Sequence, residues 1–168
     1  MICPRCLYDN IPGVDNCAWC VFDLAPLDVP VGQDRVERLL LDDQVADLAP
    51  REPVMVPTDT EVGTAIGTLI DEEVGAVLVV DPAGLLVGIL SERDLLTRMD
   101  DPPDRSVCVQ RVMTPNPETV TLIDTLAFAL FKMDTGGYRH LPVVEAGRPV
   151  GMISVRDLMR HVTRLCRE

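Results

Sequence analysis

Aromatic side chains are scarce in this chain, at 4% of residues, and histidine occurs only twice. A core must therefore be built from Val, Leu, Ile and Ala, which a 47% apolar content supplies. General acid–base chemistry has few carriers. No serine or cysteine stands beside a base in a catalytic motif, so an enzyme is not expected. Positive charge is short too: 15 Lys and Arg face 27 Asp and Glu, for a net charge of -12. The only cation among the first thirty residues is Arg5, against Asp9, Asp15, Asp23 and Asp28. This balance disfavours nucleic acid as a partner. Long apolar runs are absent; the longest, Val74 to Leu90, is broken by Asp81 and Pro82, so no membrane span is expected. No basic stretch leads into an apolar one near the start, and a soluble, cytoplasmic protein is the expectation. With 168 residues, the chain has room for one ordinary core or two small ones.

Cysteine, by contrast, is organised. Cys3-Pro-Arg-Cys6 and Cys17-Ala-Trp-Cys20 are two Cys-x-x-Cys pairs, and such turns aim two sulfurs and several N–H groups at one point. Together they supply a tetrahedral four-thiolate shell that suits zinc, with iron as the rival metal and a disulfide disfavoured in the cytoplasm. Residues 1–24 hold too little apolar material to fold alone, whereas structural zinc contributes roughly 10–16 kcal/mol of apparent folding energy. Four closed ligands leave no open position for catalysis. The segment resembles the zinc ribbons that prefix many prokaryotic proteins, in its Cys-Pro-x-Cys, Asn10-x-Pro12-Gly13 and Asn16-Cys17-x-x-Cys20. Cys108 and Cys166 lack paired spacing and are expected as small buried apolar side chains.

The Pro-rich stretch from Leu24 to Gly32 has no periodicity and reads as an extended tether. Beyond it, Val36, Leu39, Leu40 and Leu41 fit a short amphipathic helix. Shifting the chain by 64 positions then lays Val45 on Val109, Pro53 on Pro117, Val56 on Val120, Ala65 on Ala129 and Val80 on Val144. After the turns at Gly84 and Gly147 the shift is 63, and Val87-Gly88-x-x-Ser91-x-Arg93-Asp94-Leu95 falls on Val150-Gly151-x-x-Ser154-x-Arg156-Asp157-Leu158. Each copy predicts an extended segment (54–56; 119–121), a helix from Val62 or Leu126, and a strand (76–80; 141–144). A Gly turn follows, then a second strand (86–90; 149–153) and a helix from Ser91 or Ser154. Gly136-Gly137 suit the end of the preceding helix. A copy of about sixty residues is too small to stand alone, so the two are expected to pack sheet to sheet as a pseudo-twofold pair.

Met113-Thr-Pro-Asn-Pro, Arg139-His140-Leu-Pro-Val-Val and the twin Gly-x-x-Ser-x-Arg-Asp motifs resemble the CBS domain, and the tandem resembles a CBS pair over roughly residues 34–166. The fold expected is α/β (α+β): two βαββα repeats as a pseudo-twofold pair, plus a small N-terminal zinc-ribbon knuckle. The boundaries expected are 1–24 ribbon, 25–33 linker, 34–103 first repeat and 104–168 second repeat. The resemblance implies a regulatory module that binds an adenine nucleotide (AMP, ADP, ATP) or S-adenosylmethionine between the repeats and signals to a protein partner. It also implies a homodimer, with the helices from Val62 and Leu126 as candidate interfaces. Asp94 and Asp157 are the expected ribose ligands, with Ser91 and Ser154 beside them. Arg93, Arg156, Arg139 and His140 are expected to meet phosphate, and the backbone near Val56 and Val120 to meet adenine. Ser-x-x-Asp is equally a helix cap, and the two roles are compatible. Gly75 and Ala76 stand where the second copy has Arg139 and His140, so the two clefts are expected to differ. The alternative function is a scaffold in which the repeats dimerise and the ribbon docks another chain.

Overall fold

The structure, a computed structural model, describes residues 2–11, 14–24, 35–99 and 104–165. The tether lies outside them, apart from Leu24, as does Cys166. Helix α1 (Arg35–Asp42) and a 3₁₀ turn (Val45–Leu48) open the first repeat, which continues through β1 (Met55–Pro57), α2 (Val62–Asp71), β2 (Ala76–Val80), β3 (Leu86–Ser91) and α3 (Glu92–Arg98). A second 3₁₀ turn (Val109–Arg111) and β4 (Thr114–Pro115) precede α4 (Leu126–Gly136), β5 (His140–Glu145), β6 (Arg148–Ser154) and α5 (Val155–Leu165). The predicted strands and helices all form, except that residues 119–121 contribute only a single bridge, Val120 to Val143. Gly137 ends α4 with φ +64, the left-handed turn a glycine takes without strain.

The first sheet has the order β1-β2-β3-β4, with β1 parallel to β2 and the other pairs antiparallel. The second is the β5-β6 hairpin, extended by the parallel bridge at Val120 and an antiparallel bridge between Arg51 and Met152. The two are the same sheet in full and reduced form. Ala76, Leu78 and Ile89 on the far face of the first sheet cluster with Met152 of the second, which is the sheet-to-sheet contact.

Sequence repeat and packing unit are offset. Val109, Val112 and Met113 lead into the second repeat but are buried with Val56, Val62, Ala65, Leu69, Val77, Val79 and Leu90 of the first. Conversely Val45, with Leu40 and Leu48, joins Val120, Leu126, Ala129, Met133, Leu141, Val143, Ile153 and Leu158 of the second. Backbone bonds lock the exchange in matching registers: Val45 N–H donates to Asp124 O at 2.8 Å and Val109 N–H to Thr60 O at 2.8 Å. The crossing segments explain the motif glycines. A Cβ on Gly151 would lie 2.7 Å from Pro50 Cβ, and one on Gly88 would lie 2.2 Å from Met113 Sδ and require that side chain to shift.

Cys108, expected in a core, is exposed. It is the N-cap residue of the second 3₁₀ turn, and the burial falls to the next residue, Val109. No helix among the described residues is long and apolar enough to cross a membrane.

The exchange predicts where damage spreads. Val45→Ala is expected to cost about 1–3 kcal/mol and to lower amide-exchange protection first in β5 and β6, although Val45 belongs to the first repeat in sequence. Loss confined to β2 and β3 would contradict the exchanged packing.

Candidate functional site

The two Ser-x-x-Asp motifs are capping boxes at strand-to-helix junctions. Ser91 ends β3 opposite Ala76, and Ser154 ends β6 opposite His140. In the first, Asp94 Oδ2 accepts from Ser91 N–H at 2.9 Å and Ser91 Oγ–H at 2.5 Å, while Asp94 N–H donates to Ser91 Oγ at 3.4 Å. The second matches it, at 2.9, 2.6 and 3.4 Å. Capping is thus satisfied at both junctions.

The carboxylates differ in their second oxygen. Asp94 Oδ1 accepts from Thr114 Oγ1 at 2.8 Å and faces Arg98 Nε at 3.5 Å, and the residue is buried. At Asp157 the crossing segment offers Arg51 opposite Met152, where Thr114 stands opposite Ile89 in the first sheet, so no hydroxyl arrives. Asp157 Oδ1 faces only Arg160 Nη1 at 3.5 Å, on a side chain that is 62% exposed. Asp157 therefore keeps acceptor capacity that Asp94 has used.

A cleft of about 940 Å³ lies where the repeats meet. Its floor is the close approach of the two central strands: a Cβ on Gly75 would sit 3.2 Å from His140 Cε1. One wall carries Arg139, His140, Ser154 and Arg156 of the second repeat. The other carries Glu73 and Glu92 of the first, with Ile66, Leu69 and Ile70 of α2 as its apolar part. Arg139 and Arg156 have neither ion pair nor hydrogen bond to their guanidinium groups among the described residues. Burial pushes His140 below its usual 6.5; Asp157 and Glu92 oppose this, and the two arginines reinforce it.

Of the residues singled out in the sequence, Ser154, Arg156, Arg139 and His140 are brought together here, with Asp157 close enough for its charge to act on His140. The others are elsewhere. Ser91 and Asp94 form the cap described above, and Arg93 Nη1 donates to Gly137 O at 3.3 Å, tying α3 to the end of α4. Val56 and Val120 are core side chains. The Val120 N–H and carbonyl are taken by Pro142 O and Val144 N–H, at 3.0 and 2.9 Å. Sequence reasoning missed Glu73, Glu92 and the α2 face. Their signal was available, because Glu73 aligns with Gly137 and Glu92 with Val155 under the repeat shift.

Near the N-terminus the four Sγ atoms of Cys3, Cys6, Cys17 and Cys20 lie within 4.8 Å of one another, with Cys3 to Cys20 at 3.6 Å and Cys6 to Cys17 at 3.5 Å. A tetrahedron with metal–sulfur bonds of ~2.3 Å has edges of about 3.8 Å. Buried Asn10 braces the cluster: its Nδ2 reaches Cys17 Sγ at 3.6 Å and its Oδ1 accepts from Ala18 N–H at 2.9 Å. Burial raises the Cys17 thiol, but the N–H groups of Cys20 and Trp19, the Asn10 amide and the Cys6 thiol outweigh it and hold Cys17 at about 6. Cys6 is pushed up to about 12 by burial and three neighbouring thiols, against the Tyr8 N–H. Such crowding of sulfur suits a soft divalent ion, and the donors fit zinc.

The sequence pattern of the CBS domain matches residues 45–101 and 109–164, leaving the cysteine cluster outside it. A CBS domain-containing protein of Arabidopsis thaliana, CBSCBSPB1, is 34% identical over 134 residues, which is 78% of this chain and 23% of that protein. The chain thus spans less than a quarter of the length of the first curated relatives it matches. Among solved structures, the CBS domain protein PAE2072 from Pyrobaculum aerophilum complexed with AMP is 26% identical with a TM-score of 0.66, covering 75% of this chain and 100% of that one. CBSX2 in complex with AMP is 25% identical with a TM-score of 0.64, covering 74% and 98%. Two copies of one mixed α and β repeat, packed about a pseudo-twofold axis, define the class. The chain belongs to the CBS-domain family and carries the domain as a tandem pair.

The unequal caps predict unequal stability. Asp94→Ala removes a buried acceptor of three hydrogen bonds and is expected to cost about 2–3 kcal/mol, against about 0.5–2 kcal/mol for Asp157→Ala. Equal shifts in denaturant midpoint would refute the ranking.

Proposed function

We propose that the chain is a regulatory, non-catalytic module that binds an adenosine-containing ligand in the cleft between its repeats. The observation that carries this is the convergence on one cleft of two unpaired arginines, His140 and Ser154, with the part-satisfied carboxylate of Asp157 near enough for its charge to act on His140. A ribose hydroxyl would donate to Asp157, and a phosphate would sit on Arg139, His140 and Arg156. The AMP complexes of PAE2072 and CBSX2 support the same ligand class. Ser154 Oγ–H donates to Asp157 within the helix cap rather than to His140, which supports a binding role. The competing reading is a scaffold, and what favours it is that both caps already occupy their aspartates structurally.

In this reading residues 1–24 form a zinc ribbon, 25–33 a linker, and 34–103 and 104–168 the repeats. The ribbon contacts an unidentified protein partner, and two chains pair in the cytoplasm through the apolar helix faces that include Ile70 and Phe131, which are 69% and 64% exposed. Zinc, when bound, cross-links the two turns; Cys3, Cys6, Cys17 and Cys20 hold it.

Calorimetric titration of nucleotide-free protein with AMP, ATP and S-adenosylmethionine tests the sensor. AMP is expected to bind, and Asp157→Ala to weaken it by about 1–3 kcal/mol; no heat with any of the three favours the scaffold. Affinity also carries a pH signature. Burial holds His140 below its usual range in the free protein, and a bound phosphate raises its proton affinity, so the complex takes up more protons. AMP binding is therefore expected to tighten as pH is lowered, while adenosine, lacking the phosphate, shows no such trend.

The ribbon is tested separately. Native mass spectrometry is expected to find one zinc per chain, and Cys17→Ser to abolish it. Trp19 is the one tryptophan and stacks on Tyr8 at 6.1 Å, so its fluorescence reports this segment alone. Chelation or acidification should shift that emission, since protonated thiols release metal. A mass showing disulfides in place of metal would overturn the assignment.

A further inference from the structure

Resting on the nucleotide reading, we infer that Glu73 and Glu92 are specificity-determining residues that keep adenosine polyphosphates out of the cleft and restrict it to ligands with a single phosphate.

The duplication supplies the argument. It puts equivalent strand entrances and helix starts on both sides of the cleft, to which the first repeat adds α2, so the positions where the copies disagree are not demanded by the shared fold. Glu73 stands on Gly137, Glu92 on Val155, Gly75 on Arg139 and Ala76 on His140. All the extra carboxylates come from the first repeat and all the extra cations from the second. Arg156 and Arg93 are equivalent, but Arg93 is drawn away to the Gly137 carbonyl. One wall is thus cationic and the facing wall anionic.

Glu73 is the more telling of the two. It ends α2 with φ +51, in the position where Gly137 ends α4 with φ +64. The hydrogen bonds at the two ends correspond: Glu73 N–H to Ile70 O and Val74 N–H to Leu69 O, against Gly137 N–H to Asp134 O and Tyr138 N–H to Met133 O. Glycine therefore satisfies this helix end without strain, and a glutamate there is held in a conformation that side chains disfavour. What the side chain contributes is a carboxylate on the cleft wall, with no hydrogen bond or ion pair among the described residues. Glu92 opens α3, its N–H bonded to Gly75 O at 3.3 Å, and its charge reaches His140.

With His140 neutral, the two arginines and the two glutamates leave the lining without net formal charge. One phosphate can rest on the cationic wall. A second and third would extend from it toward carboxylates that no cation offsets, and repulsion across a few ångströms of partly excluded water disfavours them.

Binding of adenosine, AMP and ATP, with and without Mg²⁺, to the full chain and to Glu73→Gln, Glu73→Gly and Glu73→Gln with Glu92→Gln tests this. The wild type is expected to prefer AMP to ATP. Each variant should narrow that preference, the double variant on the order of five-fold or more, with adenosine unchanged. Glu73→Gly removes the same carboxylate while relaxing the helix end, so agreement between it and Glu73→Gln assigns the effect to charge. Glu52→Gln, an exposed carboxylate outside the cleft lining, controls for net charge. An unchanged AMP-to-ATP ratio overturns the inference while the nucleotide reading stands. ATP binding that requires Mg²⁺ and disappears in the double variant also overturns it, because the glutamates would then be recruiting the metal. No binding of any adenosine compound to the wild type removes the nucleotide reading and this inference together.

Discussion

Each hydrophobic core in the pair is closed by the stretch of chain that precedes the other one. Val45 completes the core around Leu126 and Ile153, and Val109, Val112 and Met113 complete the core around Val62 and Leu90. Pulling the repeats apart would open both cores and expose fully buried valines, so separation costs far more than the sheet contact alone. The exchange also forces the crossing segments over Gly88 and Gly151, which fixes where each strand ends and its helix begins. The capping boxes are the local consequence. Because both are fixed relative to the shared cores, the entrances of β2 and β5 are brought against each other at Gly75 and His140, and the cleft opens there.

A perfect duplication would have put like residues at the paired positions 75 and 139, and 92 and 155, that line this cleft. Divergence at a handful of positions has polarised it instead. The same divergence separates the caps: Thr114 completes the hydrogen bonding of Asp94, whereas the register of Arg51 leaves Asp157 an oxygen short of partners. A carboxylate with four donors around it gains little from a ribose hydroxyl, since any new bond displaces an old one. One with a free acceptor site pays no such exchange. Asymmetry in free acceptor capacity thus follows from a single residue, Thr114, on a strand two residues long.

Much of this was legible in the sequence, and what was legible was local. The shift of 64 and then 63 exposed the repeat, the strands and the turns, because alternation, glycine position and serine caps are written within ten residues. Gly137 ended its helix as a glycine there should. The cysteine spacing foretold the thiolate cluster for the same reason. The exchange of leading segments was hidden, since Val45 and Val109 look alike whichever core receives them, and only long-range packing decides. Arg93 was misplaced because its motif twin, Arg156, faces the cleft while Arg93 finds a carbonyl across the axis. Cys108 reads as apolar by type, yet it caps a turn whose next residue takes the burial. Val56 and Val120 turn their side chains into the cores, and the expectation at these positions concerned their backbone.

Contacts that join the repeats beside the cleft include Arg93 to the Gly137 carbonyl and the approach of Gly75 to His140. A ligand shifts a conformational equilibrium only by its difference in affinity for the two arrangements. Groups that touch ligand and also carry an inter-repeat contact are therefore the ones able to convert binding into motion. In the proposed reading His140 is such a group, facing Ser154 across the hairpin and Gly75 across the axis. A change in its charge alters one side of the cleft and the seam between repeats at once, whereas Asp94, buried behind its threonine, is insulated from both.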